Sequence, residues 1–127
     1  MRDRLVEAEQ HLRRALEIDP KFTDAKSNLG RVLIDSNKLT EAIELLKEAT
    51  QDLTYENSEK AYMNLGIAQF KKGEFSAAKS NLESALKVNR TNCIAQSYFG
   101  RTLFEMKNFI ESSRVLDQAI TVCKPIG

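Results

Sequence analysis

Three glycines end the same local phrase in this chain: Asn28-Leu29-Gly30, Asn64-Leu65-Gly66 and Tyr98-Phe99-Gly100. The phrase returns after 36 residues and then after 34. A self-similar period of this length marks an array of stacked units. A unit so short cannot bury its apolar face alone, so its neighbours must cover it. The chain is therefore read as a repeat array, which offers an extended surface for binding other proteins rather than a catalytic pocket.

The rest of the period falls into register around the glycines. Twelve residues after each comes a small side chain, Ala42, Ala78 or Ser112. A leucine follows four later (Leu46, Leu82, Leu116), then an alanine three further on (Ala49, Ala85, Ala119). The N-terminal stretch repeats only the second half, as Ala8, Leu12, Ala15 and Pro20. Apolar residues at this spacing make each unit two helices. The breaks between them are expected at Asn37-Lys38, Lys72-Gly73 and Lys107-Asn108. Gly73 suits the left-handed residue that ends a helix, and Thr40 and Ser76 are expected to N-cap the second helices. Glycine inside a helix costs roughly 1 kcal/mol relative to alanine. Its return at one phase implies a position that must lack a side chain, with small Ala42 or Ala78 opposite.

This pattern of Leu-Gly, then a small residue, a leucine, an alanine and a closing proline resembles the tetratricopeptide repeat. The likeness covers nearly the whole chain. It implies an all-α, right-handed superhelix of about seven antiparallel helices: a half repeat at 3–20 and repeats at 23–56, 59–92 and 93–126. There are departures. Gln69 stands where Leu33 and Leu103 stand in the other units, and the closing proline appears only as Pro20, with Thr54, Arg90 and Lys124 in its equivalent places. The start inside a second helix, and an end at Cys123-Lys124-Pro125-Ile126-Gly127 without a polar capping helix, are read as those of a piece of a longer repeat protein. Uncapped ends are expected to self-associate, through Leu5, Leu12 and Leu16 of the first helix or Val115, Ile120 and Val122 of the last.

Composition narrows the partners. Nineteen basic and eighteen acidic residues leave a net charge of +1, with no basic stripe of the kind that nucleic acid requires. No apolar run approaches the ~20 residues of a membrane span. His11 is the only histidine and is read as a solvated surface residue. Cys93 and Cys123 fall at the same end of one hairpin, where a disulfide is conceivable. Two cysteines without a secretory context are nevertheless expected to be free thiols. No zinc-ligand spacing, phosphate loop or nucleophile elbow occurs, so neither cofactor nor catalysis is expected.

The resemblance also implies a binding face, because in this family the first helices line a concave groove. By that likeness the groove-facing places are Asn28 and Arg31, with Ser27, Ile34 and Asp35, in the first unit. In the second they are Lys60, Met63, Asn64, Ile67 and Phe70, with Lys71. In the third they are Ser97, Tyr98, Arg101 and Phe104, with Ile94 and Glu105. The co-chaperone pattern that grips a C-terminal carboxylate is not matched, since Ser27, Arg31, Asn64, Ile94 and Tyr98 occupy its places. A narrower stretch, Ala49 to Tyr55 leading into Asn64-Leu65-Gly66, resembles the pilotins of type IV pili, repeat lipoproteins that help an outer-membrane secretin assemble. That likeness would imply a lipid anchor on an N-terminal cysteine not present here. The functional readings are thus a protein-binding scaffold, a pilotin-like assembly factor, or a regulatory array beside a catalytic domain.

Overall fold

A computed structural model describes residues 2–123. It consists of seven α-helices: α1 (Arg2–Ile18), α2 (Thr23–Asp35), α3 (Leu39–Gln51), α4 (Ser58–Lys72), α5 (Phe75–Val88), α6 (Cys93–Glu105) and α7 (Phe109–Val122). Each packs on the next in an antiparallel, right-handed array, and no strand occurs among the described residues. Lys124 and the rest of the tail, on which the expectations of a missing proline and a missing cap fell, lie outside the described residues.

The three hairpin turns are built alike. Asn37, Gly73 and Lys107 all adopt positive φ, at 61°, 87° and 65°. This left-handed residue swings the following N–H back onto the first helix. Lys38, Glu74 and Asn108 donate to the carbonyls of Leu33, Gln69 and Leu103 at 2.8, 2.8 and 2.9 Å. That is the six-to-one bond of a Schellman ending. The second helices then begin at once, at Leu39, Phe75 and Phe109. Thr40 and Ser76 consequently lie inside the first turn and do not cap it, contrary to the sequence expectation. The capping places are held by Lys38 and Glu74, with no side-chain bond. Asn92, before α6, is a true cap and accepts from the Ala95 N–H.

The repeated glycines face leucines more closely than alanines. A Cβ placed on Gly30 would lie 2.5 Å from Leu46 Cγ, one on Gly66 2.6 Å from Leu82 Cγ, and one on Gly100 2.5 Å from Leu116 Cδ2. At Gly66 the small residue's backbone also intrudes, with the Ala78 carbonyl oxygen at 3.3 Å. In the last unit Ser112 replaces that alanine and donates its hydroxyl to the Gly100 carbonyl at 2.7 Å. Leu29, Leu33, Leu46, Leu82 and Leu103 are fully buried around these crossings.

Gln69, out of character in the sequence, has a partner. Its Oε1 accepts from Asn81 Nδ2 at 2.7 Å, and Asn81 also donates to the Ala77 carbonyl. Asn81 occupies the place of Leu45 and Val115 in the other units. An apolar pair has thus become a polar one, with the buried amide satisfied.

The terminal helices differ from the rest: α1 packs only on α2, and α7 only on α6. Each carries an additional tie. On α1, Arg13 donates two bonds to the Glu41 carboxylate of α3, at 2.7 and 2.9 Å, and one to Glu9. Lys38 in the first hairpin turn also donates to Glu9, at 3.1 Å. Lys38 and Arg13 hold the Glu9 carboxyl below its ordinary range, and Arg13 does the same to Glu41. On α7 the tie is covalent. Cys93 and Cys123 form a disulfide across a separation of 30 residues, which overturns the expectation of free thiols. The hairpin brings the start of α6 and the end of α7 to a Cα distance of 5.5 Å, within the range that a disulfide spans. Of the residues expected to mediate end association, Val115 is buried and Leu12 and Leu16 pack on the core, while Ile120 and Val122 remain exposed.

Three outcomes are expected. Gly66→Ala should destabilise by about 1–3 kcal/mol through overpacking against Leu82, despite the better helix propensity of alanine. Gly73→Ala meets nothing within 4 Å, so it should cost only the strain of its positive φ, about 1 kcal/mol. Urea denaturation separates the two, and equal losses would deny the glycine contact its role. Gln69→Leu alone should cost about 1–3 kcal/mol by stripping Asn81 of its partner. Adding Asn81→Leu should recover most of that loss, and a double variant no more stable than the single would refute the pairing. Reduction of the disulfide should lower stability by about 4 kcal/mol on the chain-entropy account. Amide exchange should quicken in α7 before α4 or α5, and an unchanged melting curve would show that packing on α6 holds α7 unaided.

Candidate functional site

The first helices α2, α4 and α6 touch one another in succession, α2 on α4 and α4 on α6, whereas α3 and α5 make no contact. The array therefore curves, with the first helices on the inside. The expected site residues ride on these three helices, and burial divides them. Asn28 and Arg31 on α2, Lys60 and Lys71 on α4, and Arg101 and Phe104 on α6 are exposed. Met63, Phe70, Ser97 and Tyr98 are half-buried. Ile67 joins the core formed with Ile34 and Leu33, and Ser27 and Ile34 are also buried. These three lie beneath the inner surface, because α4 closes over α2.

Asn64 and Ser27 differ from the other buried polar residues. Asn64 is 8 % exposed, and its side-chain amide makes no hydrogen bond among the described residues but keeps contact with solvent. Gln69, Thr102 and Ser112, more deeply buried, are all satisfied within the fold, Thr102 through the Tyr98 carbonyl at 2.6 Å. Asn64 lies on the central helix of the inner face, where its carbonyl and NH2 can serve both the donor and the acceptor of a peptide unit.

The second and third units join through an aromatic corner. Phe70 packs edge-on against Phe75 at 5.6 Å and against Tyr98 at 5.5 Å. The Arg101 guanidinium carbon lies 5.0 Å from the Phe70 ring centre and 4.8 Å from that of Tyr98. Three of the expected site residues, Phe70, Tyr98 and Arg101, are thus one cluster. Phe75 belongs with them and was missed, though a signal existed, since Phe70 and Phe75 recur 34 residues later as Phe104 and Phe109. That second pair also packs edge-on, at 5.2 Å, but both rings stay more than half exposed.

The longer connection between α3 and α4 is pinned to the unit before it. Tyr55 donates its hydroxyl to Asp24 at 2.8 Å, Thr23 donates to Asp52, and Asp52 accepts from the Thr54 N–H at 3.0 Å. Burial pushes the Tyr55 hydroxyl above its ordinary pKa, and the hydroxyls of Thr23 and Thr54 hold Asp52 below its own. Tyr55 therefore covers the end of the first hairpin. Among the described residues no group of three or more His, Cys, Asp or Glu could hold a metal ion, and no helix is long and apolar enough to cross a membrane.

Tetratricopeptide repeat profiles match residues 2–54 and 59–92. The type IV pilus assembly protein PilF of Pseudomonas aeruginosa is 24 % identical over 110 residues, which are 87 % of this chain and 44 % of PilF. The crystal structure of PilW, a type IV pilus biogenesis factor, superposes with a TM-score of 0.85 at 23 % identity, covering 93 % of this chain and 54 % of PilW. That of YrrB, a repeat protein with an unusual peptide-binding site, superposes with a TM-score of 0.79 at 20 % identity, covering 94 % of this chain and 61 % of YrrB. The chain thus spans less than half the length of PilF. With the repeat profiles, the glycine phase and the stacked hairpins in agreement, the chain belongs to the tetratricopeptide repeat family, whose arrays are protein-interaction scaffolds.

Proposed function

We propose that this array binds an extended peptide or a partner's loop along the inner face of α2, α4 and α6, in units bounded as 23–56, 59–92 and 93–126, and performs no chemistry of its own. Asn64 is the observation that carries the reading. An amide on the inner face that is open to solvent and has no partner in the fold can pair with a peptide backbone without breaking an internal bond. Asn28 and Ser97 extend the polar line, while Met63, Phe70 and Phe104 offer apolar contact. The nearly balanced charge favours a protein partner over nucleic acid.

A second reading, a pilotin-like factor for assembly of a type IV pilus secretin, is favoured by the likeness to PilF across most of the chain. The disulfide suits it, since disulfides persist in oxidising compartments such as the periplasm. Restoration of secretin assembly in a strain lacking its PilF-type factor would support this role, and failure of a stably expressed chain to restore it would remove it.

Ligands for the groove can be selected from a random peptide library displayed against the chain. Asn64→Ala should weaken the selected peptides by about 1–3 kcal/mol, or roughly tenfold, with helicity intact. Lys47→Ala, on the exposed side of α3, should leave them unchanged. Titration calorimetry reads both. Selected peptides that bind Asn64→Ala as well as the parent would move the binding surface away from the inner face.

A further inference from the structure

The Arg101 guanidinium occupies a corner made by two rings set 77° apart, those of Phe70 and Tyr98. The rings come from different units, so the corner exists only where α6 stacks on α4. Cation–π contact positions a guanidinium without using its N–H groups, which lie in its plane and stay available to an acceptor. Arg101 is exposed and makes neither an ion pair nor a side-chain hydrogen bond among the described residues. An exposed arginine ordinarily loses much rotamer freedom on binding, and one already held by two rings loses less.

The inner face carries more cations than anions. Arg31 on α2 and Lys60 and Lys71 on α4 are exposed and form no ion pair among the described residues. The cations that do form pairs are Arg13, Lys26, Lys38, Lys72 and Arg114. Of the acidic residues on the same helices, Asp24 accepts from Tyr55 and Glu59 from the amides of Asn89 and Asn92 at 3.1 and 2.7 Å, while Asp35 and Glu105 are exposed and offset part of this charge. One helical turn beyond Arg101, Phe104 is 55 % exposed. A fixed planar donor and an open aromatic ring therefore meet at the α4–α6 end of an inner face whose charge is positive on balance.

Resting on the groove reading above, we infer that the partner segment is acidic, and that Arg101, pre-positioned by Phe70 and Tyr98, receives one of its carboxylates while Phe104 meets an adjacent apolar side chain. A planar guanidinium matches a carboxylate through two parallel N–H···O bonds. Phe70 and Tyr98 act as positioning residues for that contact.

The test uses a fluorescein-labelled decapeptide of glycine and serine carrying one Glu-Leu-Glu segment, beside the same peptide with both glutamates replaced by glutamine. Anisotropy is read at physiological salt. The acidic peptide should bind saturably, at least about tenfold tighter than its neutral twin. Arg101→Gln should erase that difference, and Arg101→Lys should keep only part of it, because a lysine cannot make the planar double contact. Phe70→Leu should also reduce it, while Arg114→Gln, whose side chain pairs with Glu111 on α7, should not. Circular dichroism checks that each variant is folded. Equal binding of the two peptides, absence of binding by the acidic one, or an unchanged preference in Arg101→Gln would overturn the proposal. Library peptides that are not acidic yet depend on Asn64 would leave the groove standing and sink only its acidic preference.

Discussion

Leu46, Leu82 and Leu116 each reach across a hairpin onto a glycine, with no room there for even a methyl group. This contact sets how near the two helices of a unit approach, and the other dimensions follow. With the helices close, Ala42, Ala78 and Ser112 suffice at the crossing, and larger residues such as Leu33 and Leu103 fill the space beside it. The next first helix can then settle against the previous one as well as against the second helix between them. That additional contact, α2 with α4 and α4 with α6, is what bends the array inward and gathers side chains from three units on one face. The shape of the inner face is thus a consequence of an intra-unit packing distance.

A linear array has a weakness at its ends, where a helix has one neighbour in place of two or three. Here both described ends are reinforced, by different chemistry. Helix α1 is held by a four-residue ionic network, whose surface exposure limits its strength. Helix α7 is held by a disulfide, which constrains the unfolded chain rather than adding an attraction to the folded one. The two ties therefore respond to different conditions. The ionic one weakens with salt and with protonation of Glu9 and Glu41, and the covalent one only with reduction.

Legibility in the sequence followed the range of the interaction. Period, helix order and the glycine constraint were readable because they recur at fixed offsets, and the left-handed Gly73 because glycine announces it. The same conformation at Asn37 and Lys107 was not, since nothing in lysine signals a positive φ. The caps were misplaced because Thr40 and Ser76 have capping chemistry, yet the Schellman bonds of Lys38 and Glu74 start the second helices before reaching them. Gln69 read as a defect because its partner Asn81 lies on the other helix of the hairpin. The cysteines were placed correctly at one end of a hairpin, but their pairing was misjudged because two cysteines carry no sign of the redox compartment they sit in. Of the candidate site, the faces were readable and the depth was not. Asn64, Ile67 and Ile34 share the inner phase with Asn28 and Arg31, but how far each sinks is decided by the neighbouring unit.

Comparison of equivalent elbows shows how one scaffold varies its surface without altering its spine. In the first unit the residues flanking the turn are Ile34 and Leu39, and Ile67 of the next unit joins their cluster. In the second they are Phe70 and Phe75, and the incoming helix brings Tyr98 edge-on with Arg101 above it. The backbone bond across the turn hardly changes, at 2.8, 2.8 and 2.9 Å in the three units. The side chains are free to differ because the backbone turn and the glycine–leucine contact already hold the hairpin. Aromatic elbows in place of aliphatic ones then add something beyond burial. They present ring faces, and a ring face can fix a cation at the surface while leaving its hydrogen-bond donors unused. The change from Ile67 to Arg101 at one phase of the repeat thus converts a core contact into a surface cation held by two rings, at the cost of one buried aliphatic side chain and with the fold intact.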